Sequence, residues 1–224
     1  MGTVAENELS PIVERFSLSS LLSLFQFMDA TAYSTKIIDK YANFASLSVH
    51  EKEGVDYRLN IVEKHHSGIA ILAPHGGSIE RRTSPIASAI AADDFNLYQF
   101  EGLDPNGSFE VLHITSHRFD EPRCLNLIED CDIVVAIHGC GGEEKVAMLG
   151  GLDTELAGRL GLAIARTGVR VLTEGHAYPG TRRDNICNRG LSGRGVQVEL
   201  TDALRGSAQE RLVVEALRAV LLEY

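Results

Sequence analysis

Hydrophobic and polar positions along this chain follow two periods. Residues 57–62 alternate, with Tyr57, Leu59 and Ile61 between polar neighbours, which predicts a half-buried strand. Apolar runs over 69–73 and 133–137, the second within the predicted strand Asp132–His138, predict buried strands. Each stops at glycine, the first in Pro74-His75-Gly76-Gly77 and the second in His138-Gly139. Further strands are predicted over 96–100, 111–115, 169–172 and 196–200. The helical period marks 84–92, 153–166 with Asp153 as N-cap, and 207–222 with Val213, Ala216, Leu217, Val220 and Leu221 on one face. A helical rhythm also runs over 11–40, through Ile12, Phe16, Leu21, Leu24, Phe25 and Met28. It predicts an N-terminal helical extension, 1–40, ahead of a main domain, 41–224. Strands alternating with helices imply an α/β domain of three layers, α/β/α, around a mixed central sheet. Ligands of such sheets gather beyond the carboxyl ends of the strands.

Composition removes several function classes. The net charge of −10 argues against a general nucleic-acid binder, which needs a basic face. No apolar run reaches the roughly 18 residues a membrane helix requires. The N-terminus, Met-Gly-Thr-Val-Ala-Glu-Asn-Glu, lacks the basic region of a secretory signal. A cytoplasmic monomer is therefore expected, with cell lysis as the route of any release. Cys124, Cys131, Cys140 and Cys187 form no CxxC pair, so buried thiols are expected rather than a disulfide framework.

The chemistry-bearing residues cluster at the ends of the predicted strands. His75 and Glu80 flank a glycine turn, and His138 ends another strand. Two histidines and a carboxylate are a common catalytic zinc set, in which the metal acidifies a water molecule. The alternative for each histidine is a hydrogen-bonded scaffold role. Glu199 alternates with Val196 and Val198, so it points to the opposite sheet face, either as a general base or as a solvated strand carboxylate. Arg81, Arg82, Arg118, Arg123, Arg182, Arg183, Arg189 and Arg194 lie in or beside these segments. Guanidinium forks suit carboxylate-rich ligands, although several of these arginines read equally well as ordinary surface residues. No Gly-x-Ser-x-Gly elbow accompanies Ser116, so it is not read as a nucleophile.

From Tyr41 onward the chain resembles the poly-γ-glutamate hydrolase family of Bacillus phages and bacteria. The resemblance rests on Glu53-Gly-Val-Asp-Tyr-Arg58, Ala73-Pro-His-Gly-Gly-Ser-Ile-Glu80, Thr115-Ser116-His117-Arg118-Phe119-Asp120, Ile137-His138-Gly139, Asn185-Ile-Cys-Asn-Arg-Gly190 and Gly195-Val-Gln-Val-Glu-Leu200. It implies a zinc-carboxypeptidase-like fold, with zinc on His75, Glu80 and His138 and Glu199 as catalytic carboxylate. The implied reaction is hydrolysis of γ-glutamyl amide bonds in poly-γ-glutamate or a related acidic peptide. Arg189 is the foremost expected substrate-binding residue. Asn185, Asn188, Arg118 and Tyr178 join it. Two departures stand out: an N-terminal stretch precedes the matching region, and Pro85 stands where the family commonly has an acidic residue. Rival readings are a zinc deacylase of small N-acyl amino acids and a non-catalytic binding protein that keeps the fold.

Overall fold

The computed structural model describes residues 38–224, which lie within one compact unit, Thr31–Tyr224. The helix expected over 11–40 falls outside the described residues except for 38–40, which are not helical.

Seven strands form one mixed sheet: β1 (Tyr57–Val62), β2 (Ile69–Gly77), β3 (Asn96–Gly102), β4 (Ile133–Cys140), β5 (Val146–Gly151), β6 (Arg170–Leu172) and β7 (Val196–Thr201). Their spatial order is β1-β3-β2-β4-β7-β5-β6. The central four, β3, β2, β4 and β7, are mutually parallel. β1 runs antiparallel to β3, and β5 antiparallel to β7. The apolar runs of β2 and β4 are buried along almost their whole length, as a sheet covered on both faces requires.

Helices α2 (Thr83–Ala91), α5 (Thr154–Ala165) and α6 (Ala208–Leu221) cover one face. They pack Ile86, Ile90, Leu160, Ile164 and Leu217 against Ile71, Ile137, Val196 and Val198. The other face carries α1 (Phe44–Ser48), α3 (Ser108–Leu112), α4 (Pro122–Ile128) and a 3-10 turn, Ile186–Asn188. There Phe44, Leu112, Phe119 and Ile128 meet Leu72, Tyr98, Phe100 and Ala136. Three layers result, as the alternation predicts.

Local signals explain the helix starts. Asp153 accepts from the Leu156 N–H at 3.0 Å, capping α5, and Ser207 caps α6. Glu121 caps α4, and Pro122 occupies the first turn, where its missing N–H is harmless. The strand predicted over 111–115 is not formed. Residues 108–112 make α3, with the Val111 N–H donating to Gly107 at 3.3 Å and the His113 N–H to Phe109 at 3.2 Å. Sequence reading also passed over β5, because Val146–Gly151 ends in two glycines that read as loop.

Candidate active site

The site lies at the carboxyl ends of the parallel strands. β2 carries a register irregularity there: Ala73 pairs with Gln99 and Gly76 with Glu101, so three steps on β2 match two on β3. Without that extra residue, His75 would follow Ile71 and Ala73 toward α2 and α6. The irregularity turns it to the opposite face, where its ring lies 6.4 Å from Phe119 and 4.2 Å from His113. The glycines that follow are sterically required. A Cβ at Gly76 would lie 2.3 Å from Ser84 Oγ. Gly77 has φ +64°, and a Cβ there would lie 2.4 Å from the Gly102 carbonyl oxygen. The chain then turns so that the Glu80 N–H donates to the His75 carbonyl at 2.9 Å, and Thr83 Oγ1 donates to the carbonyls of His75 and Glu80.

Side chains of three residues converge. His75 Nδ1 lies 2.9 Å from Glu80 Oε1 and 3.1 Å from His138 Nδ1. His138 Nδ1 lies 3.5 Å from Glu80 Oε2. Tetrahedral zinc with bonds near 2.0–2.1 Å sets neighbouring ligand atoms about 3.3 Å apart. The observed spacings fit that requirement. Outer bonds aim the groups: His75 Nε2 donates to the Ile114 carbonyl at 2.8 Å, leaving Nδ1 to face the convergence point. His138 Nε2 lies 3.3 Å from Ser116 Oγ, and Glu80 Oε2 accepts from the Gly139 N–H at 2.8 Å. His75 and His138 are each 1% exposed.

Charge is divided unevenly among these groups. Burial by itself would raise the Glu80 pKa, but the His75 charge and hydrogen bonds from both histidines hold it well below the usual carboxylate range. Burial would lower the His75 pKa, yet Glu80 outweighs it and raises it. A proton and a metal ion therefore compete for His75 Nδ1. His138 is pushed down, chiefly by burial.

Glu199 sits beside this cluster. It pairs in register with His138 across β4 and β7, which places both side chains on one face. Val196 and Val198 point the other way, into the core under α5 and α6. Burial, and then the negative charge of Glu80, push the Glu199 pKa well above the ordinary carboxylate value. Glu199 Oε1 accepts from Gln197 Nε2 at 3.0 Å, and Gln197 Oε1 accepts from Asn185 Nδ2 at 2.9 Å.

The expected substrate-binding residues separate on inspection. Asn185 points inward to Gln197. Asn188 gives all its capacity to the backbone: Oδ1 accepts from Leu152 and Gly195, and Nδ2 donates to Gly180 and Arg182. Tyr178 is half-buried against Cys140, Val146 and Met148, close enough to Glu199 and Glu80 that burial first, and their charges after it, raise its pKa. Arg118 is half-exposed, with Nη1 3.8 Å from Asp39 Oδ2. Arg189 is exposed and donates to the Phe119 carbonyl at 3.5 Å.

His113 escaped the sequence reading, which took only His75 and His138 as candidate histidine ligands. It is buried, with one nitrogen within reach of the cluster: a ligand atom from each of His75, Glu80 and His113 lies within 4.8 Å of the others. In the His75, Glu80 and His138 set the two Nδ1 atoms are 3.1 Å apart and each has a Glu80 oxygen, Oε1 for one and Oε2 for the other, within 3.5 Å. His113 Nδ1 is also engaged by Asp39 Oδ1 at 2.8 Å, while Asp39 Oδ2 accepts from the Thr115 N–H. It stands directly after α3, as its C-cap, where no periodic signal marks it.

A three-layer α/β fold with a buried two-histidine, one-glutamate cluster at its strand ends defines the zinc-carboxypeptidase-like class. Comparison narrows the class: the model of the poly-γ-glutamate hydrolase family matches residues 41–218, and the chain belongs to that family. It is 34% identical over 190 residues to the SPbeta prophage-derived protein YoqZ of Bacillus subtilis (strain 168), covering 84% of this chain and 66% of that protein. Among solved structures it is similar to a bacteriophage poly-γ-glutamate hydrolase, with a TM-score of 0.79 and 29% identity over 84% of this chain and 98% of that one. It is also similar to the zinc-free apo form of YNDL, with a TM-score of 0.73 and 29% identity over 83% and 98%. Among the described residues no helix is long and apolar enough to cross a membrane.

Proposed function

We propose that this chain is a zinc-dependent hydrolase of γ-glutamyl amide bonds in poly-γ-glutamate or related acidic peptides. The carrying observation is the convergence of His75 Nδ1, His138 Nδ1 and the Glu80 carboxylate, whose Oε1 lies 2.9 Å from the first and whose Oε2 lies 3.5 Å from the second. Family membership supplies the substrate class.

His75, Glu80 and His138 would hold the metal. When bound, zinc supplies Lewis acidity toward a carbonyl and lowers the pKa of water. Glu199 takes the proton from the attacking water and delivers it to the leaving amine. Its raised proton affinity suits both halves of that task near neutrality. Gln197 holds the Glu199 carboxylate by Oε1 and Asn185 holds Gln197, so Asn185 acts at one remove from the substrate. Arg118 and Arg189 present guanidinium groups on the 115–119 side of the cluster and pair with substrate carboxylates. Tyr178 forms the wall on the Cys140 side. Asn188 fastens the loop behind it.

The test combines metal analysis with turnover. One zinc per chain is expected, with cleavage of γ-linked but not α-linked polyglutamate, loss of activity to a chelator and recovery on adding zinc. Full activity after complete metal removal would sink the reading.

A further inference from the structure

One deeply buried cation near the site has no part in this mechanism. Arg205 lies in the turn between β7 and α6, and its side chain is 6% exposed. Its guanidinium bridges three segments. Nη1 donates to the Arg81 carbonyl at 2.9 Å, in the turn that bears Glu80. Nη2 donates to the Cys140 carbonyl at 3.1 Å, at the end of the strand that bears His138. Nη2 also meets the Asp202 carboxylate, just after the strand that bears Glu199. Nε is buried with no hydrogen-bond partner among the described residues. A buried group with an unmet donor is costly, so comfort of the arginine itself does not explain its place.

Gly139 shows how tightly the guanidinium is seated. A Cβ built there would lie 1.7 Å from Arg205 Nη1 and 2.3 Å from Cζ. Gly139 is not among the glycines with positive φ, so what a side chain here would meet is the Arg205 guanidinium, which it would have to displace. The same residue follows His138 and donates its N–H to Glu80 Oε2. Arg205, Gly139, Glu80 and His138 are thus one connected unit.

We infer that Arg205 is a positioning residue of the metal site, clamping the Glu80 turn to the end of β4 so that Glu80 and His138 keep their spacing. The inference rests on the metal-binding reading above. Outer partners of this kind commonly carry about 10–100-fold of metal affinity.

The experiment measures zinc affinity by competition with a chromophoric chelator, alongside thermal melting, for the native chain, Arg205→Lys, Arg205→Ala and Gly139→Ala. Arg205→Lys keeps the charge but cannot span the carbonyls of Arg81 and Cys140, so it should bind zinc about ten-fold or more weakly while remaining folded. Low-millimolar guanidinium should restore affinity to Arg205→Ala and leave the native chain unchanged, a result that a general loss of stability does not produce. Gly139→Ala should weaken zinc binding in the native background and cost little more on top of Arg205→Ala, because the methyl then fills vacated space. Unchanged zinc affinity in both Arg205 variants overturns the clamp, as does a Gly139→Ala effect of equal size in both backgrounds. If Arg205→Ala does not fold, Arg205→Lys and Gly139→Ala decide the matter. A native chain that binds no zinc overturns the reading of the site and the clamp with it. That result is distinct from native binding with indifferent variants.

Discussion

Glu80 and Glu199 are two buried carboxylates of one site, and their neighbours drive them apart. Glu80 is flanked by two histidines and held ionised; Glu199 is buried and faces Glu80's charge, with Gln197 hydrogen-bonded to it, and its proton affinity rises. Glu199→Gln should therefore keep zinc near one per chain while hydrolysis falls about 10²- to 10⁴-fold. Glu80→Gln should lose zinc together with activity. Swapped outcomes would exchange the two roles. Asp39 makes a different demand on pH. Burial would raise its pKa, but hydrogen bonds from His113 and Thr115 outweigh that and hold it at about 2, against an ordinary value of 3.8. A lowered folded-state pKa means stability that is full above the ordinary value and lost as pH falls toward the folded one. The native chain should thus melt above Asp39→Asn near neutrality, with the gap closing between about pH 4 and about pH 2. A gap that widens on acidification would show the opposite sign. At this scale, glycines after two apolar strands marked His75 and His138 and alternation set the facing of Glu199, while the roles of these residues and of Glu80 came from the family resemblance. Arg205 was not, since no residue pattern announces that its side chain folds back against Gly139.

The elements show where sequence pattern suffices and where tertiary packing decides. β2, β4 and β7 were readable because unbroken or alternating apolar runs ended in glycine or polar residues. α5 and α6 were readable from period and caps. α3 was misread as a strand, since five residues are too few to separate the two periods, and β5 was missed because glycines ended it. Nor did alternation predict the irregularity in β2, which reverses the direction of His75. Just beyond that irregularity Gly77, with φ of +64°, lies against Gly102. Gly77→Ala should destabilise the fold by more than about 1 kcal/mol, from strain and overlap together, and should loosen zinc. Gly54→Ala is the control: its φ is +82° with no atom within 4 Å of an added Cβ, so it carries strain without overlap. Equal losses of melting temperature in the two variants would show that the contact with Gly102 is immaterial.

Over the whole molecule, the three-layer plan followed from the order of elements, whereas the strand order did not, because only the fold decides that β7 inserts between β4 and β5. Under the proposed function, the exposed guanidinium groups of Arg118 and Arg189 would offset the acidic net charge toward an anionic substrate. The four thiols, finally, give the molecule a set of internal clocks. All are buried; burial pushes Cys131 up to about 11 and Cys187 to about 12, and raises Cys124 and Cys140 as well. Cys124, Cys131 and Cys187 lie together in the core beneath α4, while Cys140 sits in a small separate cluster with Val146 and Met148 at the rim of the site. Alkylating reagents therefore react only when packing opens, and two kinds of opening have their own reporters. Cys140 should be labelled ahead of the other three, with saturating zinc bringing its rate down to theirs. Equal rates at all four positions without zinc would mean that the rim opens only when the whole core does.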